Sequence, residues 1–536
     1  MRIGGAAVIA LVTASCASVD QELLDAQLPD APAAWSSEDA AGFAPTGDWL
    51  AAFDDNALRD LVDEALLRNN DLLAAVSRLD QAREDTRIAR ADQLPSLDAF
   101  ASTRRSAIVT DPASAAQAGG GGAALSGLRA RDLEDQFGID VDGDGELDGL
   151  DLVDANNLDP VTGQPISGQD GVIDSDLPNR RLYINSFLLS ADIRWELDVW
   201  GRLRDQTRAA YQDAAAAYAD LAAAELSIAA RVAQAWFSLI EARQQRELAE
   251  RDIQARESNL RVTERRYDRG VASSLDVRLS RSALGSSRAT LATRKRQEQE
   301  ASRTLEVLLG RYPGAELEAA DALPTLPPLA GAGAPGDILA RRPDLIAAEA
   351  RMQSAGLRAR AARKQLLPTI TLSSSLSTSG PEISDLIDPE RLAGNIASGL
   401  AQPLFQGGRV RANARRARAV AETAAYDYVQ TVLTAYQEAE NALAAESLLV
   451  EQEEALLIAL EEAEAAETLT ERRYASGAAT IFDLLDAQTR RISAESQFIQ
   501  VKRERLSNRV QLYLAIGGDF LTETKLLALA ATTEDS

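Results

Sequence analysis

Two groups of oxygen-bearing side chains are spaced to hold charge or metal. The first is DVDGDGELDGLD, where Asp140, Asp142 and Asp144 occupy loop positions 1, 3 and 5, and Gly145 position 6. Glu146 follows at position 7 through its carbonyl, then Asp148 at 9 and Asp151 at 12. Hard oxygen ligands at that spacing, with glycine at the sharp bend, suit a Ca2+ loop. The competing reading is a disordered acidic loop whose Gly and Asp merely favour turns. The second group lies in RRYASGAATIFDLLDAQ, Arg472 to Gln488, where Asp483 and Asp486 project from one helical face. Covalent chemistry has few candidates: there is no His, Cys16 is the one cysteine, and Met352 is the one methionine besides the initiator. Imidazole bases, thiolate pairs and soft-metal ladders are thereby removed, and the chain reads as a non-enzyme.

The tip carboxylates follow a turn between two long Ala-rich helical segments. Gly477, with Ala478 and Ala479, interrupts helix-favouring sequence and supplies the turn of a helical hairpin. The same pattern stands earlier as RRYDRGVASSLDV, Arg265 to Val277. Gly270 and Gly477, Tyr267 and Tyr474, and Asp276 and Asp483 are all 207 positions apart, which marks a tandem duplication. Helices are expected from Gly201 to Gly270 and back over Leu275–Leu309, and again from Gly408 to Gly477 and back to Ile516. At about 1.5 Å per residue each longer arm reaches roughly 100 Å, so it must pack side by side with others or line a tube. Shorter helices are expected from Asn56 and from Asp71, read as an N-cap, to Pro95; a second copy of the latter runs from Asp344 to Pro368.

After each of these prolines the period changes to two. SLDAFASTRRSAIV and TITLSSSLSTS read as strands, with YINSFLLSADIRWELDV as the return strand of the first repeat. In the last, Phe187, Leu189, Ala191, Ile193, Trp195, Leu197 and Val199 share one face, and Ser186, Ser190, Asp192, Arg194, Glu196 and Asp198 the other. That alternation suits a membrane β-barrel with a wet lumen, with Trp195 and Trp200 in an aromatic girdle or in a core. Two strands per repeat make four per chain, too few to close a barrel, and an open edge in lipid costs several kcal/mol per unpaired backbone group. Other copies must supply the remaining strands.

The net charge of −26 disfavours nucleic acid, which needs clustered Lys and Arg. Residues 1–15 read as a signal peptide, with Arg2, an apolar run from Ile3 to Val12, and small residues before Cys16. The segment resembles a bacterial lipoprotein lipobox, which implies lipidation of Cys16; Thr13 departs from the Leu or Val usual there. Ala17 after the cysteine resembles lipoproteins sorted to the outer membrane.

With its capped helices, strand pairs, ELDVWGRLR, long hairpins and RY-x-x-G tips written twice, the chain resembles the TolC-like outer-membrane factors, particularly lipoprotein members. The resemblance implies a mainly α fold with β: a homotrimeric outer-membrane barrel of four strands per chain, continued by a long periplasmic α-helical barrel. It implies an exit duct of a tripartite efflux or secretion system. A periplasmic adaptor (membrane fusion protein) and an inner-membrane transporter of the resistance-nodulation-division type would deliver small molecules to it, with outer-membrane lipid around the barrel. It further implies a periplasmic gate at Asp483, Asp486 and Phe482, with Tyr474 tying the hairpins. A basic tie found in some members is replaced by Ala479. Gly270, Gly477, Arg266, Arg473 and Asp276 would shape tips that meet the adaptor.

The expected organisation is an N-terminal segment 16–55, repeat 1 over 56–320, a linker 321–337, repeat 2 over 338–518 and a tail 519–536. Repeat 1 carries 66 extra residues between its strands, centred on about 111–176, facing the cell exterior in a barrel. From Arg131 to Leu177 this insertion has 14 acidic residues and one basic, half the net charge of the protein. Asp151 at the last loop position resembles dockerin-type Ca2+ loops more than EF-hands, which carry Glu there. Two other readings compete with the duct: a periplasmic coiled-coil adaptor or spacer, and a surface Ca2+-binding interaction module on a barrel scaffold.

Overall fold

The computed structural model describes residues 34–36, 49–110, 180–327 and 334–517. The signal peptide, Cys16, the acidic insertion with Asp140 to Asp151, and the tail 519–536 lie outside the described residues. The chain divides into a mostly helical unit (Met1–Ala89, Asp205–Arg363 and Gly408–Ser536) and a unit holding the sheet (Arg90–Arg204 and Lys364–Gly407).

The helical unit begins with α1 (Asn56–Arg68); α2 (Asn70–Ala91) starts in it. Asn69, rather than the expected Asp71, caps α2: its Oδ1 accepts from the Asp71 and Leu72 N–H groups at 2.9 and 3.3 Å. Asn69 is extended at ψ 124°, so the helix has already begun by the time the chain reaches Asp71. The first long hairpin is α3 (Arg202–Asp268) and α4 (Ser274–Leu308). After α5 (Pro343–Lys364) comes the second hairpin, α6 (Arg409–Ala475) and α7 (Ile481–Ala515). The arms have matching lengths, 67 and 35 residues in each hairpin.

One core gathers Trp49, Phe53, Phe237, Leu305, Val510 and Tyr513, with Trp49 stacked on Tyr513 at 5.8 Å between ring centres. Asp55 serves it twice, capping α1 through Leu58 N–H and accepting from Trp236 Nε1 at 2.9 Å. The segment after α4 is held by arginines: Arg243 donates to the Ala319 carbonyl, and buried Arg509 donates to the Pro327 carbonyl and pairs with Glu446 at 2.7 Å.

The sheet unit pairs β1 (Ser96–Thr110), β2 (Arg180–Leu197), β3 (Thr369–Gly380) and β4 (Ala393–Ala401) antiparallel in chain order. Register places Leu97, Ile193, Ser374 and Ile396 in one row, and Ala191 beside Leu376 in the next. On the other face Asp98, Asp192, Ser375 and Asn395 align, next to Ser96, Arg194 and Ser373. The apolar face is left open by this single chain, with Ile396 80 % and Leu97 70 % exposed. Asp198 is not on the polar face as expected. It lies beyond the strand end and caps α3, accepting from the Leu203 and Arg204 N–H groups. Trp195 and Trp200 donate to the Gln93 and Pro368 carbonyls at 2.9 and 2.7 Å.

Candidate functional site

The tips of the two hairpins carry the same eight-residue frame, TERRYDRG at 263–270 and TERRYASG at 470–477. Each arm ends in paired bonds to a glycine cap: Gly477 N–H to Tyr474 O and Ala478 N–H to Arg473 O, with the same pattern from Gly270 and Val271. Both glycines need the left-handed conformation, at φ 73° and 83°, which a side chain would strain. The return helices open on capping boxes, Ser273 with Asp276 and Thr480 with Asp483.

This geometry separates the two tip carboxylates. Asp483 turns back on its own turn: Oδ2 accepts from the Thr480 N–H and hydroxyl, both at 2.8 Å. Those bonds, the backbone one first, hold its carboxyl below the usual aspartate value. Asp486 is exposed and pairs with Arg490, one turn on, at 2.8 Å. The repeat counterpart of Asp483 is Asp276, in an equivalent box, whereas Asp486 corresponds to the apolar Leu279. Asp486 is therefore the tip carboxylate without a capping duty, and Phe482 beside it is 62 % exposed.

Tyr474 joins the hairpins. Thr263 donates its hydroxyl to the Asn259 carbonyl, so the Tyr474 hydroxyl, 2.9 Å away, donates to Thr263 Oγ1. Arg266 lies over the Tyr474 ring at 4.9 Å and donates to the Tyr474 carbonyl at 2.5 Å. Ile481 and Leu484 complete the small core, with Val262, Leu279, Ala479 and Leu485 against it. Ala479, the position at which the resemblance implied a basic tie, packs on this apolar cluster. Arg473 is exposed.

A buried polar layer, which the sequence reading did not identify, lies further up both hairpins. Asp252 pairs with Arg256 at 2.9 Å and accepts from Ser287. Arg491 bridges Glu467 and Glu495, and Glu495 pairs with Arg251 across the hairpins at 2.5 Å. Burial first, then repulsion from Glu471 and Asp252, pushes the Glu467 carboxyl above its ordinary value, against the pull of Arg491. Nearby, both amide atoms of Gln488, Asn259 Nδ2 and Ser280 Oγ are buried with no protein hydrogen-bond partner. The sequence reading named Tyr474 as the tie but not its partner Thr263, whose one signal was its recurrence at Thr470 in the repeated frame. The Glu467 and Arg491 layer left no motif.

The sequence profile of the outer membrane efflux protein family matches residues 61–126, 175–311 and 334–518. The pyoverdine export outer membrane protein OpmQ of Pseudomonas aeruginosa is 30 % identical over 502 residues, covering 93 % of each chain. The outer membrane protein OprJ of the same species is also 30 % identical over 502 residues, covering 91 % of each. Among solved structures, the outer-membrane channel OprN superposes with a TM-score of 0.72 at 25 % identity, over 92 % of this chain and 97 % of that one.

Proposed function

The chain belongs to the outer membrane efflux protein family and is an outer-membrane exit duct for efflux, and from that premise we propose that three copies assemble into one conduit. Each contributes its four strands to a twelve-strand barrel and its two long hairpins to a periplasmic helical tube. The observation that carries this reading is the four-stranded sheet with one apolar and one polar face, whose outer β1 and β4 edges pair with nothing among the described residues. Such edges are tolerated in lipid only when further strands close the ring. Asp98 and Asp192 stand opposite each other on the polar face. Like charges in register are destabilising unless water screens them, which a hydrated lumen provides.

In this reading Asp486 and Phe482 line the periplasmic constriction, while Tyr474 and the Glu467 to Arg251 layer hold the hairpins together. Three copies would bring three Asp486 carboxylates around one axis, favouring water and cations over a dry seal. Asp483 acts there through the turn it caps. The tips at Gly270 and Gly477, with Arg266, Arg473 and Asp276, meet a periplasmic adaptor, and an inner-membrane transporter of the resistance-nodulation-division type supplies the cargo. Cys16 carries the lipid anchor. The spacer alternative is set aside by the family match, which spans the strand segments as well as the hairpins.

The test is heat-modifiable, trimer-sized protein in outer-membrane fractions, together with loss of small-molecule efflux when the gene is deleted. A monomer that stays in the aqueous periplasmic fraction would overturn the reading.

A further inference from the structure

The duplicated tip frame is used asymmetrically within one chain. Thr263 and Arg266 on α3 form a socket that holds Tyr474, which is 7 % exposed. The repeat supplies a second socket, Thr470 and Arg473 on α6, and a second tyrosine, Tyr267 on α3. Tyr267 is 48 % exposed, and neither its hydroxyl nor the Arg473 guanidinium makes a hydrogen bond or ion pair among the described residues. Thr470 bonds only the Ala466 carbonyl of its own helix.

We propose that Tyr267 of a second copy of this chain seats on Thr470 and Arg473, repeating between copies the tie that Tyr474 makes with Thr263 and Arg266 within one. This rests on the multimeric reading above and names the residues by which neighbouring tips join. In a ring whose copies follow one another by the step that relates the two hairpins, that step carries the second hairpin onto the first hairpin of the next copy. A peg on one side and its socket on the other is a head-to-tail contact, which closes into a ring when the rotation allows.

A second observation points to the same neighbour. The ties within the chain run from α3 to α7, Glu241 to Arg503 at 2.9 Å and Arg251 to Glu495 at 2.5 Å. The same step maps that seam onto α6 of one copy against α4 of the next. Between Arg418 and Arg472, α6 carries 13 acidic residues and no basic one. Glu454, Glu461, Glu462 and Glu464 are exposed there and form no ion pair among the described residues. In α4 the stretch Arg278 to Arg296 carries six basic residues and no acidic one; Arg281, Arg288, Lys295 and Arg296 pair with glutamates of their own hairpin, and Arg278 and Arg294 form no ion pair among the described residues. The facing flanks have opposite sign, which favours this pairing over either flank against itself.

The photo-reactive amino acid p-benzoylphenylalanine, placed at position 267 of the full-length membrane-embedded protein, tests the proposal. Illumination is expected to give dimer- and trimer-sized bands on denaturing gels. Mass spectrometry of mixed isotopically labelled and unlabelled protein should place the adduct between copies, near residues 470–473. The same label at position 474 is expected to react with α3 of its own chain and run as a monomer. Native mass measurement reports the multimer independently. Intact trimers with only monomeric or distant adducts from position 267 would overturn the proposal alone, whereas absence of trimers would overturn the assembly beneath it. Tyr267→Ala and Arg473→Ala are each expected to lower the temperature at which trimers dissociate, with the double variant no worse than the worse single one. Fully additive losses would count against a shared contact.

Discussion

The hydroxyls of Tyr474 and Thr263 lie 2.9 Å apart, so a residue of the second hairpin is fastened to the first just above the tips. Thr263 is fully buried, and its own proton is committed to the Asn259 carbonyl. Tyr474→Phe keeps the ring under Arg266 and removes one donor, and is expected to weaken the seam by about 1 kcal/mol. Tyr474→Ala also empties the small tip core and is expected to cost about 3 kcal/mol. Single-channel conductance in planar bilayers should rise in that order, wild type below Phe below Ala. Equal conductance in all three would show that the tie does not hold the tip closed.

The tip aspartates should separate by readout. Asp483→Asn breaks the capping box and is expected to lower the thermal midpoint, whereas Asp486→Asn leaves the midpoint unchanged and reduces cation selectivity. Asp483 has a folded pKa below its unfolded one. Its contribution is thus present above the unfolded carboxylate value and lost as pH falls through the lowered folded value. The midpoint difference between wild type and Asp483→Asn should therefore vanish in strong acid, and a difference that persisted there would refute the capping role.

Arg491 faces two acidic partners, Glu467 and Glu495. Arg491→Ala leaves both carboxylates without that cation at a largely buried seam and is expected to cost about 3 kcal/mol. Glu467 has the opposite sign to Asp483. Its folded pKa is raised, so the stability it contributes is fully present below the unfolded glutamate value and lost as pH rises through the folded one. Glu467→Gln should then be at least as stable as wild type at pH 7, measured by thermal unfolding in detergent.

Ile193 and Asp192 are adjacent in β2 but face opposite sides of the sheet. Ile193→Lys is expected to cost about 2–4 kcal/mol if it faces lipid near mid-membrane. Asp192→Lys on the polar face should assemble normally. Trimer yield in outer-membrane fractions separates the two, and equal yields would mean that the apolar face does not meet lipid.

Asp140, Asp142 and Asp144 belong to the loop whose spacing suits Ca2+. Calcium is expected to raise the thermal midpoint of the wild-type protein and leave that of an Asp140→Ala, Asp144→Ala variant unmoved. An equal response in both would leave the insertion as an acidic loop without a specific ion.

The elements are legible in the sequence because their signals are local. Ala-rich sequence nearly free of Gly and Pro between glycine punctuation marks set the long arms, and strict alternation set β2 and β3. The repeat of RY-x-x-G placed both tips. Sequence alone made Tyr267 and Tyr474 equivalent, and paired Asp483 with Asp486 on one helical face. Only tertiary structure broke those equivalences. It buried Tyr474 against α3 and left Tyr267 open, folded Asp483 back onto Thr480, and drew Glu467 and Arg491 into one layer. The reason is physical: helix and turn formation depend on neighbours along the chain, whereas these choices depend on which face of one hairpin meets the other.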